Sequence, residues 1–190
     1  MSHLEIEYKT LLTKDEYQRL LAQMTHINAV TQTNYYIDTA NFDLKANRMS
    51  LRIRTFSDKA EMTLKVPEEV GNREYNQDLS LQEAKNLIKK CQITNKDILL
   101  QMTKFGISPE DLRTFGQLTT RRKEKATAIG TMALDYNQYA QTIDYELELE
   151  VNDPIQGEKD FEQFLKDNNI SLKFAKSKVS RFAKTLKNSK

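Results

Sequence analysis

Glu5, Glu7 and Lys9 alternate with Leu4, Ile6 and Tyr8 in the stretch His3-Leu4-Glu5-Ile6-Glu7-Tyr8-Lys9. Period-two alternation reads as a short strand, with His3, Glu5, Glu7 and Lys9 on one face. Two carboxylates of one sign, about 6.6 Å apart by strand rise, repel unless a cation sits between them or one is protonated. A hard divalent ion such as Mg²⁺ or Mn²⁺ suits oxygen ligands. A solvated strand face is the plainer reading of the same residues. Similar faces recur along the chain. Arg52 and Arg54 alternate with Leu51 and Ile53, and Thr63 and Lys65 with Met62, Leu64 and Val66. Glu74 and Asp135 lie in two further stretches of this kind, and Asp144, Glu146, Glu148 and Glu150 alternate with Tyr145, Leu147, Leu149 and Val151. Bases in such number suit an extended polyanion, and acids among them suit a divalent cation shared with it.

These residues need elements to hold them. Strands are expected over 3–9, 34–39, 49–55, 61–66, 72–77, 115–125, 127–137 and 144–151. Thr13 and Glu16 have capping-box spacing, followed by Tyr17, Leu20, Leu21 and Met24 as a helical apolar stripe. Ser80 and Glu83 repeat that spacing before Ala84, Leu87, Ile88 and Cys91. A short third helix is expected from Ser108-Pro109. A fourth follows Pro154 and Gly157, with Phe161, Phe164 and Leu165 as its contacts. Residues 177–182 read as a final turn or helix, and the Lys-rich end after Lys184 is expected to fray. About eight strands with interspersed helices indicate an α+β antiparallel barrel. If the helices cover the apolar strand faces, the charged faces line the inside. Charged outer faces laced by ion pairs are the alternative, and alternation alone does not choose between them.

The bulk properties bound the rest. The chain has 190 residues, 38% of them hydrophobic, with 29 basic against 27 acidic side chains and a formal net charge of +2. That length suits one domain over 1–190. The charge balance argues against a dedicated nucleic-acid binder. The single cysteine, Cys91, excludes an internal disulfide and a cysteine zinc site, and reads as a buried small hydrophobe. No apolar run approaches a membrane span, and no basic-then-apolar leader is visible. The expectation is a cytoplasmic protein without a membrane partner. A homodimer is left open.

The ordered set of motifs resembles the CYTH, or triphosphate tunnel metalloenzyme, family. The opening Glu-x-Glu-x-Lys matches its signature, and the match continues through residues 35–39, Leu51-Arg52-Ile53-Arg54, Thr63-Leu64-Lys65 and Glu74. It resumes at Thr120-Arg121-Arg122, Asp135, the 145–150 strand and Ser177-Lys178-Val179-Ser180-Arg181. More narrowly, the chain is similar to single-domain CYTH proteins of low-GC Gram-positive bacteria, some of which carry an adenylate cyclase label. The resemblance implies an eight-stranded antiparallel closed β-barrel with peripheral helices and a charged tunnel. It implies hydrolysis of a small-molecule triphosphate, inorganic triphosphate foremost, with Mg²⁺ or Mn²⁺. A class IV-like adenylate cyclase and a non-catalytic polyphosphate or nucleotide sensor are the alternatives. By the same resemblance Glu5, Glu7, Glu148 and Glu150 are metal ligands, and Lys9, Arg52, Arg54, Lys65, Arg122 and Lys178 hold phosphates. Glu5, Glu7, Lys9 and Lys65 are the catalytic set. Arg181 joins the phosphate-binding group or anchors the C-terminal segment, and Glu74, Asp135 and Glu146 are supporting acids. His3 is a hydrogen-bonding residue, while Arg121 and Lys123 face outward if Arg122 faces in.

Overall fold

The computed structural model describes residues 2–187. In chain order the elements are β1 (Ser2–Leu12), α1 (Lys14–Gln23), β2 (Val30–Asp38), α2 (Asp43–Ala46), β3 (Ser50–Thr55), β4 (Ala60–Pro67) and β5 (Asn72–Leu79). There follow α3 (Leu81–Lys90), α4 (Lys96–Lys104), β6 (Arg113–Thr127), β7 (Gly130–Tyr139), β8 (Thr142–Val151), α5 (Pro154–Asp167) and α6 (Lys178–Lys187). The strands form a closed antiparallel barrel in the order β1-β5-β4-β3-β2-β6-β7-β8. The chain divides into two compact units, one of residues 1–4 and 32–117, the other of residues 5–31 and 118–190.

In the first unit, Arg52 of β3 stands opposite Tyr36 of β2 and Thr63 of β4, and Lys65 stands opposite Glu74 of β5. Cross-strand partners share a face, so these polar groups lie on one side of the sheet. Leu51, Ile53, Met62 and Leu64 lie on the other, packed with Ala84 of α3 and with Ile98 and Met102 of α4. The second unit repeats the pattern. Lys9 is opposite Glu148, Arg122 opposite Asp135, and Asp135 opposite Glu146. The other face carries Ile6, Leu134, Leu147 and Leu149 against Leu20 of α1 and Phe161 and Leu165 of α5. In both units the helices cover the apolar face and leave the charged one opposite.

Local chemistry explains most boundaries. Thr13 and Ser80 each accept from the amide of the Glu three residues on, and each Glu side chain returns a bond, closing both capping boxes. Pro154 opens α5 at its first turn, with Asp153 as cap, and Gly157 falls inside that helix. The helix expected from Ser108 is a correction. Only a single 3₁₀ turn, Pro109–Asp111, forms there. Ser108 makes no capping bond, and Leu112 is already extended, leading into β6. The helix that does form nearby is α4, capped by Asn95, whose side chain accepts from the Ile98 amide at 3.1 Å. Its start was hidden by the run Ile98-Leu99-Leu100, which blurs helical periodicity. The strand expected from Thr127 begins instead at Gly130, because Thr127 ends β6 and bonds Gly130 O across the hairpin at 2.7 Å. The final helix runs to Lys187, past the expected fray at Lys184. Residues 188–190 lie outside the described residues. Among the described residues no helix is long and apolar enough to cross a membrane.

One helix–sheet contact is unusually close. A Cβ placed on Gly157 would sit 2.6 Å from Val151 Cγ2 and 2.8 Å from Val151 Cβ and Cγ1. Gly157→Ala gains helix propensity but drives that methyl into a β-branched side chain at the end of β8. The overlap wins, with an expected net loss of about 2 kcal/mol. It should appear as a lower urea midpoint at unchanged slope; a midpoint equal to or above wild type would refute this packing.

Candidate active site

The polar face of the second unit converges on three buried carboxylates. Asp135, Glu146 and Glu148 each offer an oxygen, and these oxygens lie within 4.8 Å of one another. Asp135 and Glu146 are fully buried. The register explains their meeting: Asp135 and Glu146 are cross-strand partners, and Glu148 is two residues along β8 on the same face. A group of three carboxylates and no sulfur or imidazole is a donor set for a hard divalent cation.

Three cations surround the triad. Arg122 forks onto Asp135 with Nε at 2.8 Å and Nη2 at 2.7 Å, and Nη2 also meets Glu148. Lys178, on the first turn of α6, reaches all three acids: its Nζ lies 2.9 Å from Asp135, 2.6 Å from Glu146 and 2.5 Å from Glu148. Arg181, one turn along α6, pairs with Glu146 and with Asp144 at 2.9 Å and donates to Lys176 O. Asp144 also accepts from Tyr139 Oη at 2.6 Å and Asn137 Nδ2 at 3.0 Å, and Thr120 donates to Asn137 at 2.7 Å. Burial and the Asp144 carboxylate push the Tyr139 hydroxyl up to about 12.

Charge and burial set the proton states here. Burial opposes the Lys178 ammonium, but Asp135, Glu148 and Glu146 outweigh it and hold its pKa well above the ordinary value. Glu148 is likewise opposed by burial, yet Lys178 and Arg122 hold it well below the usual carboxylate range. Its neighbour Glu146 moves the other way, raised by burial and by the Glu148 charge against the pull of Lys178. Lys9 donates to Glu7 at 2.6 Å. Burial lowers its affinity for a proton, but Glu7 and Glu148 more than compensate, so it stays an ammonium.

The first unit has its own polar face. Lys65 pairs with the buried Glu74 at 2.8 Å. His3 lies 3.6 Å from Glu74 and 3.4 Å from Asn76, and is half exposed. Arg54 Nε donates to Asn34 at 3.0 Å and its Nη1 lies 3.2 Å from Glu61. Arg52 Nε and the hydroxyl of its cross-strand partner Thr63 are buried without a hydrogen-bond partner. Two donors left unsatisfied side by side are costly unless an acceptor arrives. Tyr36, opposite Arg52, lies 6.2 Å from the Phe115 ring, which meets Phe42 edge-on at 5.2 Å. Lys123 points to the other face, where it bonds Met24 O at 2.6 Å.

Of the four acids named as metal ligands from sequence, only Glu148 belongs to the converging triad. Glu7 is paired with Lys9, and Glu150 is its cross-strand partner. The two companions of Glu148, Asp135 and Glu146, are supporting acids in the sequence analysis. The sequence analysis gives Asn137 and Tyr139 no role and names Asp144 only as part of the polar face that it shares with Glu146 and Glu148. The aromatic group of Tyr36, Phe42 and Phe115 was also missed, since Phe115 is far from the other two in sequence and joins them only through the fold.

The Lys65–Glu74 pair gives a pH test. Burial raises the Glu74 pKa, but Lys65 and then Arg52 overcome that and bring it from 4.5 down to about 2. A folded pKa below the unfolded one means stability that is present above about pH 4.5 and lost as pH falls through about 2. A shift of that size is worth about 3 kcal/mol. Urea unfolding between pH 5 and 2 should therefore show a steeper loss for wild type than for Glu74→Gln; parallel pH profiles would rule this out.

Comparison with known proteins places this arrangement. The chain is 36% identical over 181 residues to a Bacillus subtilis protein named "Putative triphosphatase YjbK", covering 94% of each chain. A solved Bacillus halodurans structure described as a "putative adenylate cyclase" is 33% identical, with a TM-score of 0.89, over 95% of this chain and 98% of that one. A Hippeastrum structure shares the fold at 22% identity, with a TM-score of 0.81 over 96% of each chain. The CYTH domain family description matches residues 3–183, and the chain belongs to that family.

Proposed function

We propose that this protein is a divalent-metal-dependent triphosphatase with inorganic triphosphate as its preferred substrate. Its working surfaces are the polar strand faces, one in each unit, that the helices leave uncovered. The observation that carries this reading is the convergence of Asp135, Glu146 and Glu148 among Arg122, Lys178 and Arg181. Such a cluster joins oxygen donors for a cation to guanidinium and ammonium groups for phosphates. The unsatisfied donors of Arg52 and Thr63 add a place that an anion would complete. The name of the Bacillus subtilis relative points the same way.

In this reading Glu5, Glu7, Glu148 and Glu150 would hold Mg²⁺ or Mn²⁺, and Asp135 and Glu146, whose oxygens converge with that of Glu148, would offer further ligands. A bound divalent ion neutralises charge on the phosphate oxygens. Lys9, Arg52, Arg54, Lys65, Arg122 and Lys178 hold the phosphates, the arginines by their flat fork and the lysines as point charges. Lys9 keeps its proton and therefore offsets charge instead of acting as a base. Arg181 anchors α6 on Asp144. Water attacks the terminal phosphorus in line, the bond to the bridging oxygen breaks, and orthophosphate separates from diphosphate.

A class IV-like adenylate cyclase is the second reading. The description of the Bacillus halodurans relative favours it, as do the partly exposed rings of Phe42 and Phe115, packed on the buried Tyr36 opposite Arg52, which offer a surface for a base. The two readings separate in one assay. Inorganic triphosphate, ATP and thiamine triphosphate are each supplied with Mg²⁺ or Mn²⁺, and orthophosphate and cyclic AMP are measured. Release of orthophosphate should be fastest from inorganic triphosphate, stop with a chelator, and fall by about 100-fold or more in Glu5→Gln. Cyclic AMP as the main product from ATP would establish the cyclase, and binding without turnover would leave a sensor.

A further inference from the structure

One strand of the second unit breaks the rule that helix-covered faces are apolar. On β6, Lys123 stands opposite Leu134 and Lys125 opposite Met132, two members of the apolar cluster beneath α1 and α5. Arg121 shares that face, opposite Tyr136. Lys123 has an evident use there. Its Nζ donates to Met24 O at 2.6 Å and so satisfies a carbonyl at the C-terminal end of α1. Arg121 has no such use: among the described residues it makes no hydrogen bond or ion pair, and neither does the hydroxyl of Tyr17 on α1.

These two groups line one cavity. Helix α1 packs on β7 and β8 through Leu20 and Met24, and toward β6 it leaves a space of about 420 Å³. Tyr17, Leu21 and Ala22 of α1, Ala29 before β2, and Arg121 and Lys123 of β6 form its walls. The rest of the lining is neutral, so the space holds two cations and no acid. Its apolar wall comes from Leu21, Ala22 and Ala29. The Tyr17 ring is fixed, since it stacks on Tyr145 at 4.6 Å, and Tyr145 meets Tyr136 edge-on at 5.7 Å. Burial raises the pKa of the Tyr17 hydroxyl while the Arg121 charge pulls the other way, so the hydroxyl remains a donor beside a cation. Spaces of roughly 300–1,000 Å³ with an apolar wall and a few convergent polar groups suit small organic molecules. With Lys123 engaged on Met24 O, one uncommitted guanidinium remains. Its flat fork matches the two oxygens of a carboxylate, and its single charge balances a carboxylate better than a phosphate ester, which carries nearly two.

We propose that the cavity between α1 and β6 is a second binding site, for a small organic carboxylate whose charged end pairs with Arg121 and the Tyr17 hydroxyl and whose apolar body lies on Leu21, Ala22 and Ala29. Arg121 alternates with Arg122 along β6, so this site and the acid triad lie on opposite faces of one sheet. The test uses 2-naphthoate as probe, with calorimetric affinity and amide chemical shifts of the full chain as readouts. Binding should shift the amides of Ala22, Thr25 and Ala29. Arg121→Met keeps the length of the side chain and removes its charge, and should weaken binding roughly tenfold or more. Ala22→Phe fills the space from an exposed helix position and should abolish binding. The uncharged 2-naphthamide should bind roughly tenfold or more weakly than the acid. No binding of 2-naphthoate, or binding that is unchanged in both Arg121→Met and Ala22→Phe, would overturn the site. Equal affinity for the acid and the amide would reduce it to an apolar groove and overturn the anion assignment. Tighter, Arg121-dependent binding of 2-naphthyl phosphate would overturn the choice of carboxylate.

Discussion

Buried charge must be matched, and this structure is arranged around that requirement. Asp135 and Glu146 are fully buried and Glu148 nearly so. Removing any of these carboxylates from water costs several kcal/mol, which only close cations and hydrogen bonds recover. Arg122 satisfies Asp135 through a two-pronged contact that lysine could not reproduce. Lys178 supplies a compact charge that three acids share. Such a network stabilises little by itself, since apolar residues of similar volume would be less costly to bury. Its retention in the fold is better explained by what it can hold.

The placement of that network follows from which face the helices cover. A strand with alternating side chains has no preference for inside or outside. The stripes on α1, α3, α4 and α5 decide it by packing on the apolar strand faces of their own units. Each helix that buries a leucine or phenylalanine thereby commits the neighbouring glutamates and arginines to the opposite side. Positions of charged residues are in this sense a by-product of apolar packing. A core residue such as Leu134 or Leu147 matters to the site as much as to stability, because it flanks Asp135 or Glu146 on the same strand.

Much of this was readable from the residues. The strand of Tyr145, Leu147, Leu149 and Val151 was legible because its alternation is unbroken, and both capping boxes because their side chains act over three residues. The position of α4 was not, since its cap is a lone Asn95 and its apolar run has no clear period. The site was legible as a population of acids and bases and less so as a geometry. Glu5 and Glu7 stand out in sequence because they are close in the chain. The converging triad depends instead on Asp135 meeting Glu146 across a register, which neither strand contains by itself. The contact of Lys178 with all three acids was still further from view, because it requires the docking of a helix whose place no local signal sets.

The pairing of β1 has a kinetic meaning as well. Tyr8 donates to Pro154 O across 146 positions, and Thr10 is bonded to Lys173 across 163. Closing loops of that length is the slow part of folding for sheets built from distant strands. During synthesis Ile6 and Leu12, with only Leu20 and Met24 of their cluster made early, must wait for full cover until β8, α5 and the 173 segment have left the ribosome. The strand that carries Glu5 and Glu7 is thus made early and seated late, so a chain truncated before Lys173 should expose this apolar edge to aggregation and to chaperones.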